Sequence, residues 1–271
     1  MKVVLFCGGR GQRMRGEDDA TPKPMVMIGN RPLLWHVMRY YAHFGFTDFV
    51  LCLGYGAAAV KDYFLRYDET QSNDFSLANG RDIQLFSTDI TNWHITFIDT
   101  GPNSTVGERL MRVREQVADE PVFLANYADT LTDADLPTLI DRFRRGSATA
   151  SLLAVPPAST HHVVHLATSG AVTGIQPVRE LAQWENGGYF IFRPEIFDVL
   201  WPGEDLVPHA LDRLIPSGGV LAQRHTGFWR AVDTFKDRAE LVDMYQRGAC
   251  PWMLWNRRQP VLTAGRVLVT G

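Results

Sequence analysis

Val3-Val4-Leu5-Phe6-Cys7-Gly8-Gly9-Arg10-Gly11-Gln12-Arg13 opens the chain as an apolar run that stops at glycines. A short β-rich run ending this way brings bare backbone N–H groups up to a phosphate, because glycine tolerates positive φ and has no Cβ to hold a ligand away. Ten residues beyond Arg13 comes Lys23, inside Thr21-Pro22-Lys23-Pro24-Met25. An arginine and a lysine close behind the glycines suit a polyphosphate, the first as a bidentate fork and the second as a point charge. The two prolines stiffen the backbone around Lys23 and pre-aim its side chain. The plainer reading is a strand, a tight turn and two solvated cations.

Two familiar phosphate loops are excluded. No Gly-Lys-Ser/Thr follows the glycines, and the dinucleotide pattern G-x-G-x-x-G fails because Gly9-x-Gly11 leads to Met14. The rest of the first half alternates apolar runs at 2–7, 48–53, 95–99 and 122–126 with helical periodicity over 32–44, 57–65, 105–117 and 136–145. Alternating β and α elements predict an α/β fold with a doubly wound, mostly parallel, Rossmann-like sheet. In such sheets the ligand crevice lies beyond the carboxyl ends of the strands. After residue 148 short β-like runs follow one another (148–155, 163–167, 172–176, 188–192 and 220–225), with helices near 206–215 and 234–246. They read as antiparallel strands added on the side of a second substrate. Residues 68–82 are polar and read as a long loop or insertion.

At 271 residues and 45% hydrophobic, the chain can bury a substantial core. A net charge of −3 gives no basic footprint for nucleic acid. No apolar run approaches the roughly 18–20 residues that cross a bilayer, and no leader pattern precedes the first strand, so a cytoplasmic protein is expected. Cys7, Cys52 and Cys250 are widely spaced and form no CxxC pair, which argues against a zinc knuckle or disulfide framework. No G-x-S-x-G elbow is present.

Gly8-Gly9-x-Gly11-x-Arg13 followed by Pro22-Lys23-Pro24-Met25 resembles the signature of sugar-1-phosphate nucleotidylyltransferases, in particular the glucose-1-phosphate cytidylyltransferase branch. Leu34-Trp35-His36, Gly54-Tyr55, Asp99-Thr100-Gly101, Arg109-Leu110, Asn186-Gly187-Gly188-Tyr189-Phe190, Gly227-Phe228-Trp229 with Asp233-Thr234, and Pro251-Trp252 continue the likeness in order. The resemblance implies one nucleotidyltransferase domain over 1–256, with a nucleotide-binding half (1–147), a sugar-binding half (148–256) and a tail (257–271). It implies a nucleoside triphosphate and a sugar-1-phosphate as partners, Mg²⁺ as cofactor, and a homo-oligomer in which the Trp252/Trp255 segment could meet a neighbour.

By the same resemblance, Asp129 and Asp233 bind the metal; Arg13 and Lys23 hold the triphosphate and stabilise charge moving onto pyrophosphate. Gly8, Gly9, Gly11, Thr105 and Arg109 complete the nucleotide site, and Asn186 bonds a sugar hydroxyl. Three departures stand out. The family's Gly-Asp-Gly is Ala128-Asp129-Thr130 here. Its Thr-Gly-Gly-Arg is Thr105-Val106-Gly107-Glu108-Arg109. Its Glu-Lys-Pro lysine is missing from Gln176-Pro177-Val178-Arg179-Glu180, leaving Arg179 as the candidate sugar-phosphate cation. His161, His162 and His165 are read as an altered sugar-pocket rim rather than a zinc site. Two other readings stand beside the enzyme: a non-catalytic binder of nucleotide or sugar nucleotide, and a glycosyltransferase using Asp133-Ala134-Asp135, which however looks like a helix start.

Overall fold

The computed structural model describes residues 1–9, 21–158 and 161–256. Arg13, Gly11 and the tail 257–271 lie outside these residues. Seven strands form the central sheet: β1 (Val3–Phe6), β2 (Asp48–Leu53), β3 (His94–Asp99), β4 (Phe123–Asn126), β5 (Ala150–Val155), β6 (Glu185–Phe192) and β7 (Val220–Arg224), in the order β7-β5-β6-β4-β1-β2-β3. β1 pairs in parallel with β2 and β4, and β2 with β3. β6 runs antiparallel to both β4 and β5, while β5 and β7 are parallel. Six strands therefore point one way and β6 alone points back. The expected group of antiparallel strands reduces, within the sheet, to that one.

Side-chain alternation explains why the strands are continuous apolar runs. Val3 and Leu5 of β1, with Phe49, Leu51 and Leu53 of β2, enter one core. Val4 and Phe6, with Val50 and Cys52, enter the other. Helices cover both faces, so neither strand face may be polar. Helices α1 (Leu33–His43), α2 (Ala57–Leu65) and α4 (Leu136–Arg145) fall where periodicity put them. α3 (Val106–Arg112) is shorter than expected and gives way to a 3₁₀ turn, Arg114–Val117. Thr234 caps α5 (Phe235–Gln246) through a reciprocal box with Asp237. The stretch 206–215 is a π-helical turn, Leu206–Leu211, followed by one α-turn.

The polar segment 68–82 is not a plain loop. It contributes to a hairpin, Phe75–Ala78 with Asp82–Leu85, turned by Asn79 and Gly80 at φ 54° and 71°. Asn79-Gly80 is the strongest kind of short hairpin signal, and here it turns a strand pair within a polar stretch. The insert is anchored by buried Arg31, which donates to Ser72 Oγ at 2.9 Å and the Asp68 carbonyl at 2.7 Å, and lies 3.4 Å from Asp89. Trp252 is buried within its own chain and stacks on Phe228 at 5.4 Å, and Trp255 packs edge-on against Trp35. Trp252 belongs to this chain's own core, and the partly buried Trp255 packs against it. No helix among the described residues is long and apolar enough to cross a membrane.

Candidate active site

The carboxyl ends of β1, β2, β3 and β4 deliver Gly8-Gly9, Gly54, Thr100-Gly101 and Tyr127-Ala128-Asp129 to one edge of the sheet. Arg109 ties three of these ends together. Its guanidinium donates to the Gly8 carbonyl (3.0 Å), the Leu53 carbonyl (3.2 Å) and Thr100 Oγ1 (2.7 Å), and the residue is 3% exposed. Burial pulls its pKa below the usual arginine value. A Cβ on Gly8 would lie 2.0 Å from Arg109 Nη1, and one on Gly54 would lie 2.8 Å from the same atom. The glycines therefore make room for the guanidinium as well as for any ligand. Beyond it Gly9 is exposed, and a Cβ there would meet nothing within 4 Å among the described residues.

Thr105 is likewise engaged by protein. It caps α3, accepting from the Glu108 amide at 3.1 Å, while its hydroxyl donates to the Glu204 carbonyl at 2.7 Å. The extra residue between Thr105 and Arg109 thus builds a capping box whose third position is Glu108, and sends Arg109 inward one turn later.

Lys23 lies in a 3₁₀ turn, Lys23–Met25, entered from extended Pro22 and seated on buried Pro24. Its ammonium sits 2.6 Å from Asp129 Oδ2 and 2.6 Å from Asp233 Oδ1. Three residues from three distant parts of the chain converge on one point. Burial by itself would lower the Lys23 pKa, but the Asp129 and Asp233 carboxylates outweigh it and hold the ammonium above the ordinary lysine value. Burial pushes the Asp129 carboxyl upward, more than Lys23 beside it draws it down, and Asp233 adds to the rise. Two carboxylates aimed at a shared cation suit a hard divalent ion that keeps waters and phosphate oxygens as its other ligands. The donor set fits such an ion, and among the described residues no cluster of three metal-ligating side chains exists to bind a softer one.

Both loops bearing the acids are pinned. The Val232 amide donates to the Asp129 carbonyl at 3.0 Å, linking the two acid-bearing segments directly. Asp237 accepts from the amides of Asp233 (3.0 Å) and Thr234 (2.7 Å). Asp237 thereby orients Asp233, and the signal for it in the sequence is the capping-box spacing Thr234-x-x-Asp237. Asn186 accepts from the Gly188 amide (3.0 Å) and donates to the Tyr127 hydroxyl (3.1 Å), joining β6 to the Asp129 loop. Trp229 donates to the Gly187 carbonyl at 2.8 Å and walls a cleft of about 500 Å³ that Asp233, Glu185, His161, Arg230 and Lys236 also line.

Arg179 stands exposed on the single turn Val178–Glu180 and does not line that cleft. His162 and His165 lie three apart on the strand His162–Leu166, hence on opposite faces. Asp133 accepts from the Phe228 amide at 2.8 Å, and Asp135, at the N-cap position of α4, accepts from the Thr138 hydroxyl at 2.6 Å. The Asp-x-Asp pair is thereby spent on holding the fold, which removes the basis for a glycosyltransferase metal motif.

A nucleotide-type sheet with a paired-acid cation point at its carboxyl edge defines a phosphoryl- or nucleotidyl-transferring class. The chain belongs to the nucleotidyl transferase family, whose sequence model matches residues 2–240. It is 34% identical over 264 residues to the glucose-1-phosphate cytidylyltransferase of Salmonella typhimurium, covering 94% of this chain and all of that one. It is 33% identical over 258 residues to the "Probable glucose-1-phosphate cytidylyltransferase" of Bacillus subtilis, with 94% and 100% covered. The UTP-bound UGPase of Acinetobacter baumannii superposes with a TM-score of 0.66 at 18% identity, over 90% of this chain and 92% of that one, a likeness of fold.

Proposed function

We propose that the chain condenses CTP with glucose-1-phosphate, releasing CDP-glucose and pyrophosphate. The observation that carries this reading is the meeting of Lys23, Asp129 and Asp233 at 2.6 Å contacts beside the Gly8-Gly9 edge. Its substrate names come from relatives that match along their whole length. In the reaction a phosphate oxygen of the sugar phosphate attacks the α-phosphorus, one O–P bond forms, and the bond to the β-phosphate's bridging oxygen breaks.

Such a transfer asks little covalent chemistry of the protein, and positioning with charge neutralisation accounts for the rate. Asp129 and Asp233 would hold Mg²⁺, which when bound neutralises charge on the reacting phosphates. Gly9 leaves its backbone open to the triphosphate, and Arg109 fixes that glycine edge from below. Lys23, on a stiff Pro-Lys-Pro turn, supplies the positive charge that pyrophosphate needs as it leaves. Arg13 and Gly11 belong to the same triphosphate site, Thr105 shapes the base side, and Asn186 borders the sugar side. Purified protein given CTP, glucose-1-phosphate and Mg²⁺ should release pyrophosphate in a coupled phosphatase assay. No release across a panel of triphosphates and sugar phosphates rejects the reading.

A further inference from the structure

Asp129 follows Ala128, which is fully buried and sits at φ 61°. That is left-handed backbone, strained for any residue with a Cβ and natural for glycine. Something must hold an alanine there. Asn126, the last residue of β4, accepts the Ala128 N–H on its Oδ1 at 2.6 Å. Asn126 is itself completely buried, its side chain interacting with Tyr41 and Tyr189. A buried amide needs its carbonyl satisfied, and here the Ala128 N–H satisfies it. The loop is pinned on either side of residue 128 as well: the Tyr127 amide donates to the Gly188 carbonyl at 3.1 Å, the Asp129 carbonyl accepts from Val232 N at 3.0 Å, and the Thr130 carbonyl from the Tyr189 hydroxyl at 2.8 Å, but none of these bonds holds the Ala128 N–H.

We propose that Asn126 is a positioning residue, which holds Ala128 in the left-handed conformation and so aims the Asp129 carboxylate at the cation point shared with Asp233. The pair Asn126 and Ala128 then does together what a single glycine does without help. Removing the Asn126 carbonyl lets residue 128 relax toward ordinary φ, and the carboxylate on the next residue turns away. Glycine at 128 makes the clamp dispensable. The proposal rests on the reading of Asp129 and Asp233 as the cation's ligands.

The test is Mn²⁺ binding to the full chain, followed by electron paramagnetic resonance in the presence of CTP alone, for wild type, Asn126→Ala, Ala128→Gly and the double variant. Loss of a residue that orients a metal ligand typically weakens affinity about 10–100-fold, and that loss is expected for Asn126→Ala. The double variant should return to within about threefold of wild type, a rescue that a merely packing role for Asn126 would not show. Should Asn126→Ala not fold, Asn126→Leu fills the same volume without an acceptor and is expected to show the same loss and the same rescue. Wild-type affinity in Asn126→Ala, or a double variant no better than the single one, overturns the proposal. Wild-type protein that takes up no Mn²⁺ overturns the cation site itself, and this inference with it.

Discussion

Gly8→Ala adds one methyl group at a place where the structure leaves none. The new Cβ would stand 2.0 Å from Arg109 Nη1, and ordinary contact begins near 3.4 Å, so the guanidinium must retreat by about 1.4 Å. A shift of that size breaks its bonds to Gly8, Leu53 and Thr100, which now span 2.7–3.2 Å. Hydrogen bonds to a charged group contribute about 1.5–3 kcal/mol each, but they fail together and partial rehydration offsets some of the loss. The expected cost is about 3–5 kcal/mol, the range for breaking up a buried charged cluster. For a chain of this length that lowers Tm by roughly 10 °C. Gly9→Ala is the matched control, since its Cβ meets nothing within 4 Å among the described residues. It should leave stability within about 0.5 kcal/mol of wild type while weakening CTP binding, because the methyl group intrudes where phosphate approaches the backbone. Denaturant unfolding and calorimetric CTP titration of both variants separate the effects. A Gly8→Ala protein that unfolds with wild type refutes the claim that Arg109 and the glycine edge form one unit.

Three further outcomes are expected. His36 is buried, with its Nε2 2.9 Å from the Ile28 carbonyl, and burial lowers its pKa from 6.5 to about 4. A depressed folded pKa means stability present above pH 6.5 and lost as pH falls toward 4, about 3 kcal/mol in all, whereas His36→Gln should lack that slope in denaturant titrations across the window. Lys23→Met leaves Asp129 facing Asp233 with no cation between them. Because Asp233 is 47% exposed the loss is only about 2 kcal/mol, and Mg²⁺ should raise the variant's Tm more than wild type's. Equal Mg²⁺ shifts in the two proteins would contradict the shared cation point. Arg31→Met should cost about 3–5 kcal/mol and raise hydrogen exchange over residues 66–90, since it leaves the buried Asp89 carboxylate without its cation. Exchange unchanged in that segment would show the anchor to be unimportant.

How far the sequence could be read follows from which signals are local. The strands of β1 and β2 were legible because burial on both faces leaves an unbroken apolar run, and α2 and α4 because their periodicity is intact. That β6 alone among the later sheet strands runs antiparallel was not legible, since strand direction is decided by the connection and by pairing at long range. Lys23, Asp129 and Asp233 were identified from a resemblance, and no spacing rule would have joined residues 106 and 210 positions apart. Arg109 was expected to face ligand; its donors instead bind three carboxyl ends, a use invisible without coordinates because Leu53 and Gly8 accept through backbone carbonyls. Asn126 carried no signal at all, as an Asn closing a strand reads as turn chemistry.

The most direct measurement is Mn²⁺ binding in the presence of CTP, compared among wild type, Asp129→Asn and Asp233→Asn. Wild type should bind one ion per chain, and each amide variant should lose at least about tenfold in affinity while keeping its fold by circular dichroism. Undiminished binding in either variant would mean that the two carboxylates do not share a cation, and the proposed transfer chemistry would have no site.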